Sequence, residues 1–217
     1  MSLWGEVTPA EDPLAEALEA ADTVIFDFDG VLADSEPLHL QSYRELIADM
    51  GGSLDEDRFR SLVGRKERDI WPAVISRPAD IDELVARRAA IFLRLATGEL
   101  SVDPRVAWML QCGFAERIVL SSGNPLIVER LLDDWSVAAR FSEVRALGDS
   151  PVTKIEELRR IVQVRRSTGA WRGVLAEDSP DVLAEGSALG LVTVGVVHSL
   201  NQRADVDGAD FVVDRSA

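Results

Sequence analysis

Three short apolar runs, each closing on polar residues and each followed by a polar loop or a helix-forming stretch, constrain this chain more than any other feature. Thr23-Val24-Ile25-Phe26 leads into Asp27-Phe28-Asp29-Gly30, Arg117-Ile118-Val119-Leu120 into Ser121-Ser122-Gly123-Asn124-Pro125, and Gly173-Val174-Leu175-Ala176 into Glu177-Asp178-Ser179-Pro180. Runs of this kind, apolar without alternation, read as strands buried on both faces. The spacing predicts helices to about Trp135 and Leu189 after the second and third runs. Leu191 to Val197 and Phe211 to Val213 are further strand candidates. Asp12-Pro13 opens a first helix to about Ala21, and Thr153-Lys154-Ile155-Glu156 is a capping box that opens another to about Arg166. Strands alternating with helices imply an α/β fold with a parallel sheet covered on both faces.

Residues 39–100 differ. Leu40, Tyr43, Leu46, Ile47 and Met50 keep helical spacing, as do Ile81, Leu84, Val85, Arg88, Ile91, Phe92 and Leu95, and no strand pattern lies between them. This stretch is expected to be a helical insert after the first strand. Asp103-Pro104 marks the return to the core, so the expected division is 1–38 with 101–217 as core and 39–100 as insert.

A chain of 217 residues, 47% of them hydrophobic, can bury one core plus a small satellite. The formal net charge of -15 argues against nucleic acid and anionic membrane as partners, because both require a positive field. A small anionic substrate needs a local cation or a metal. Cys112, the only cysteine, sits in an expected helix from Pro104 and reads as a packing residue in a reducing compartment. No apolar run approaches the roughly 20 residues of a membrane span. The N-terminus has no basic region followed by an apolar stretch, so no export signal is expected and a cytoplasmic location is.

Ligands of open α/β sheets bind beyond the carboxyl ends of the strands. Here that edge would gather Asp27 and Asp29, Ser122, and Glu177 with Asp178. Asp27-Phe28-Asp29-Gly30-Val31-Leu32-Ala33-Asp34-Ser35-Glu36-Pro37-Leu38-His39 resembles the first motif of the haloacid dehalogenase-like hydrolases, in the branch of β-phosphoglucomutase and phosphoglycolate phosphatase. The resemblance implies a Rossmann-like three-layer core with an inserted all-helical cap. It implies that Asp27 is a nucleophile forming an aspartyl-phosphate and that Asp29 is the general acid/base. It implies that Lys154 neutralises charge, that a motif serine with the Gly123 N–H holds phosphoryl oxygens, and that Mg²⁺ is held by Asp27, Asp29, Asp178 and Glu177. Register against Pro125 selects Ser122 as that serine, with Ser121 the alternative. Many relatives have proline after the lysine, where this chain has Ile155.

In the cap, Gly64-Arg65-Lys66-Glu67-Arg68-Asp69 is a cationic island, and Arg65 and Arg68, with His39 at the hinge, are candidate substrate contacts; a solvated helix end reads equally well. Asn124 reads as a helix cap and His198 as a loop residue without assigned role. The expected activity is hydrolysis of a small phosphorylated metabolite by a monomer or weak dimer. A sugar phosphomutase is the alternative, and a non-catalytic phosphate-binding protein stands behind both.

Overall fold

The computed structural model describes residues 12–62, 65–75, 79–113 and 115–214. Gly64 and the N-terminal stretch, from which no export signal is expected, lie outside the described residues. The element order is α1 (Pro13–Glu19), β1 (Thr23–Phe26), α2 (Glu36–Asp49), α3 (Glu56–Arg60), α4 (Glu67–Val74), α5 (Ile81–Ala96), α6 (Pro104–Met109), β2 (Glu116–Ser121), α7 (Pro125–Asp134), β3 (Glu143–Ala146), α8 (Lys154–Arg166), β4 (Gly173–Glu177), α9 (Pro180–Ala188), β5 (Val192–Val197), α10 (Arg203–Val206) and β6 (Phe211–Asp214), with a 3₁₀ turn at Ala138–Arg140.

The six strands form one sheet in the order β3-β2-β1-β4-β5-β6, and every pairing is parallel. Every residue of β1 and of β4 is buried, as strands covered on both faces must be. On one face Val24, Phe26 and Val119 pack with Ile127 and Leu131 of α7 and Val106 and Met109 of α6. On the other, Ile25, Ile118, Leu120 and Leu175 meet Leu158, Ile161 and Val162 of α8. The sheet is therefore the middle of three layers, and the Rossmann-like expectation holds.

The strand β3 was not foreseen, because Glu143-Val144-Arg145-Ala146 carries no apolar run. It is an edge strand, half-buried throughout. The Arg145 guanidinium pairs with Glu143 and Glu157, so charge replaces the apolar cover an inner strand needs.

Helices α2 to α5 enclose a second cluster, built on Leu40, Tyr43, Leu46, Phe59, Trp71 and Leu84. Helix α5 faces both ways: Leu84 belongs to that cluster, whereas Ala89, Phe92 and Ala96 pack into the main core. Among the described residues no helix is long and apolar enough to cross a membrane.

Capping fixes the helix starts that frame the site. Asn124 Oδ1 accepts from Leu126 N at 3.0 Å ahead of Pro125. At α8, Thr153 Oγ1 accepts from Glu156 N at 3.2 Å and Glu156 Oε2 accepts from Thr153 N at 2.8 Å. That reciprocal box sets the start of α8, so the proline that relatives place after the lysine is not needed here. Ile155 packs against the core cluster under α8 instead.

Candidate active site

The chain runs outward from β1 to β2 and β3, then returns to β4 on the other side of β1. This switch point brings the carboxyl ends of β1, β2 and β4 side by side. Asp27 follows β1 directly and its N–H extends the ladder to Ala176 O at 2.9 Å. Its side chain is held at both oxygens: Oδ1 accepts from Phe28 N at 2.7 Å, and Oδ2 lies 2.6 Å from Lys154 Nζ. The same ammonium lies 2.6 Å from Glu177 Oε2. The Glu177 side chain is fully buried, and its Oε1 accepts from Asp178 N at 3.1 Å and Ser179 N at 3.0 Å.

Two carboxyls thus share one cation out of water. Burial first, then the Glu177 charge, push Asp27 up to about 8, with Lys154 acting the other way. Burial likewise raises Glu177 to about 7 against the pull of Lys154. Burial disfavours the Lys154 charge, but Asp27 and Glu177 outweigh it and raise the lysine above its usual range.

A chain turn closes over this cluster. Gly30 N donates to Ala33 O at 2.9 Å, with Gly30 at φ +76°. A Cβ at Gly30 would stand 2.7 Å from Asp178 Oδ2, so both the conformation and the space require glycine. Asp29 points to the other side of the turn. Its Oδ1 accepts from Ser35 Oγ at 2.5 Å and lies 2.9 Å from His39 Nε2 at the start of α2. Arg88 Nη1 is 3.0 Å from His39 Nδ1. Because a guanidinium can only donate, Nδ1 accepts and the ring proton on Nε2 faces Asp29. Burial raises the Asp29 carboxyl, but the His39 ring and the bonds from His39 and Ser35 more than reverse this and hold it below its ordinary value. Arg88 itself is buried and paired with Glu67 from α4. In the sequence Arg88 is a helix-face position, and its pairing partner Glu67 lies 21 residues away.

The two serines separate. Ser121 is buried at the end of β2 with Oγ accepting from Gly123 N at 2.8 Å, whereas Ser122 is exposed. A Cβ at Gly123 would lie 3.0 Å from Ser121 Oγ and 2.9 Å from Asp29 Oδ2, so these two groups border one space that only glycine leaves open. The cap cations go elsewhere. Arg68 pairs with Asp82 and, at 3.2 Å, with Asp149 of the core; Arg65 is exposed. Their neighbour Lys66 donates to Ser150 O at 2.6 Å, in the loop before α8.

Asp27, Glu177 and Asp178 each offer an oxygen, and these oxygens lie within 4.8 Å of one another. Glu177 Oε2 is buried, with the Lys154 ammonium 2.6 Å away. A compact all-carboxylate set of oxygens suits a hard divalent cation. Asp29 is not part of that group among the described residues. His198, passed over in the sequence, lies here too, with Nε2 2.9 Å from Asp178 Oδ2.

A family model described as "haloacid dehalogenase-like hydrolase" matches residues 21–163. The "Phosphorylated carbohydrates phosphatase" of Thermotoga maritima is 29% identical over 192 residues, covering 83% of this chain and 87% of that protein. Among solved structures, CbbY from Rhodobacter sphaeroides in complex with phosphate superposes with a TM-score of 0.74 at 20% identity, covering 89% of this chain and 93% of that one. A β-phosphoglucomutase from Clostridium difficile gives 0.70 at 15% identity, covering 89% and 91%. At such identities the structural likenesses speak for the fold alone, but the match of the family model covers more than half of the sequence: this chain belongs to the haloacid dehalogenase-like hydrolases.

Proposed function

We propose that this protein is a Mg²⁺-dependent phosphatase that hydrolyses a small phosphomonoester of the phosphorylated-sugar class through a phosphate carried on Asp27. The observation that supports this most is the pair of aspartates at the switch point, held for different work. Asp27 is fixed against Lys154 beside two further carboxylates, and Asp29 is fixed by Ser35 and His39. The phosphorylated-carbohydrate class comes from the Thermotoga relative's name.

In this reading an Asp27 oxygen attacks phosphorus and the bond to the leaving oxygen breaks, with that oxygen taking a proton from Asp29. Water then attacks the phosphorus and gives a proton back to Asp29, the Asp27–phosphate bond breaks, and inorganic phosphate leaves. The donors on Asp29 Oδ1 favour its carboxylate, the form that accepts a proton from water in the second step. Lys154 offsets charge around Asp27, and Ser121 Oγ, which accepts from the Gly123 N–H and keeps its own proton to donate, borders the space that the phosphoryl oxygens would enter. Asp27, Asp178 and Glu177 would hold Mg²⁺, with the Asp29 carbonyl completing the set. When bound, the cation supplies charge neutralisation and a fixed grip on the transferring oxygens. Residues 39–100 would act as the cap that excludes water.

The experiment is phosphate release from an aryl phosphate and a panel of sugar phosphates, with Mg²⁺ and with chelator. Metal-dependent release is expected. Isomer conversion of a sugar phosphate without release would replace this reading with the mutase, and a folded, Mg²⁺-binding protein with no turnover would leave a binding protein.

The crowded carboxyls also give a stability signature. Asp27 at about 8 and Glu177 at about 7 stand above their unfolded values of 3.8 and 4.5. The folded, metal-free protein therefore keeps protons that the unfolded chain releases, and its stability falls as pH rises through that window. Melting in chelator is expected to drop by several degrees between pH 5 and 8, and saturating Mg²⁺ to raise it most at pH 8. The drop should shrink in Asp27→Asn; an equal drop there would remove the assignment to this cluster.

A further inference from the structure

We propose that His198 is a positioning residue that fixes the orientation of Asp178 for the metal ion, an inference that rests on the metal-site reading above. The imidazole is 4% exposed, and its Nε2 stands 2.9 Å from Asp178 Oδ2. Leu200 N donates to Nδ1 at 3.3 Å. A nitrogen that accepts there cannot carry the proton, so Nε2 carries it and donates to the carboxylate. A metal-binding carboxylate whose second oxygen is held by a hydrogen bond has a fixed plane, and its first oxygen is aimed rather than free to rotate.

The surroundings fix the ring in turn. His198 N donates to Asn201 Oδ1 at 2.7 Å, and Asn201 Nδ2 donates to Val196 O at 2.9 Å, which closes the loop at the end of β5. Ser199 Oγ donates to Asp34 Oδ1 at 2.7 Å, tying the loop to the turn that follows Asp29. On the opposite side, the ring abuts Gly30, where a Cβ would come within 3.1 Å of His198 Cδ2. The missing side chain at Gly30 thus makes room for the carboxylate and its histidine together.

The same loop reaches the cap. Leu200 packs against the helical cluster of α2 to α5, and Arg60 Nη1 donates to Leu200 O at 3.2 Å. The residue whose N–H sets the His198 tautomer is therefore held by the cap as well as by the core. Nothing else in the loop offers a side-chain donor to Asp178 among the described residues.

The test is calorimetric titration of the full chain with Mg²⁺ at one pH, for wild type, His198→Leu and His198→Gln, beside melting of each in chelator. Leu keeps bulk and loses the donor; Gln places an amide N–H near the position of Nε2. Leu is expected to weaken Mg²⁺ binding about 10- to 100-fold, and Gln to recover most of it. Leu binding within twofold of wild type would overturn the proposal. So would equal weakening by Leu and Gln with equally lowered melting, which marks a structural role. If Leu does not fold, His198→Asn takes its place, since its shorter amide cannot reach Asp178, and equal affinity of Asn and Gln would be the overturning result. Wild-type protein that binds no Mg²⁺ would fail the metal reading itself, a distinct outcome that takes this proposal with it.

Discussion

Asp27→Asn is expected to reduce phosphate release at least about a thousandfold on every substrate that the wild-type protein turns over, with the fold intact. An amide oxygen can still accept from Phe28 N, so the local turn survives. What is lost, in the proposed mechanism, is the anionic oxygen that would attack phosphorus. Lys154 keeps its second partner, Glu177, at 2.6 Å, so no buried cation is stranded. Removing one of two carboxyls that crowd a single ammonium should leave metal-free melting at pH 8 equal to or above that of wild type. Loss of activity together with undiminished melting would set Asp27 apart from a structural support, and covalent labelling separates a nucleophile from a metal ligand. Brief mixing with labelled substrate and acid quenching should trap label on wild-type protein and none on the variant. A variant that retains a tenth of the activity would mean that water, not Asp27, attacks phosphorus, and the covalent reading would be abandoned.

Much of the fold could be read from the chain because its inner strands bury both faces. Thr23–Phe26, Arg117–Leu120 and Gly173–Ala176 have no polar alternation to confuse them with anything else, and the polar residues after each run mark the edge that carries the candidate site. The edge strand β3 escaped because an edge needs only partial cover, and Arg145 and Glu143 obtain it from ion pairs with Glu157 and Arg165 of α8. Helices α3 and α4 are too short to show a period. At the candidate site, the clustering of Asp27, Glu177 and Asp178 was legible from strand ends, and Lys154 only from the resemblance. Ser121 against Ser122 turns on a single residue of register where the strand stops, which a pattern of proline spacing cannot fix. His198 was missed for a reason that is correctable. It ends the apolar run Val192–Val197 just as Asp27 and Glu177 end theirs, and β5 lies beside β4 in the sheet. Applying the strand-end rule to the fourth run would have singled it out. Arg88 carried no such signal, because its partners Glu67 and His39 come from other helices.

Lys154→Met should lower activity about 10²- to 10³-fold and, unlike Asp27→Asn, should lower stability as well, more so at high pH. Lys154 Nζ sits 2.6 Å from Asp27 Oδ2 and from Glu177 Oε2, with side chains only 10%, 9% and 0% exposed respectively. Deleting the cation leaves two buried carboxyls facing one another, and breaking a buried pair in this way typically costs about 3–5 kcal/mol. The sign with pH follows from what remains. Both carboxyls already stand above their unfolded values, and loss of the ammonium pushes them higher. The folded variant then holds its protons to a still higher pH, so its stability falls through a window that extends above that of wild type. Chelated variant and wild type should therefore melt closest together near pH 5 and furthest apart near pH 8. Activity should follow the same logic, because a protonated Asp27 cannot attack: the acidic limb of the pH–rate profile is expected to move to higher pH. Saturating Mg²⁺ should recover part of both losses, since a divalent cation can take over charge neutralisation but cannot stand where the ammonium stood. If Met at position 154 moved neither melting nor the pH profile, Lys154 would be a lysine that merely opens α8, and the charge balance at Asp27 would need another source.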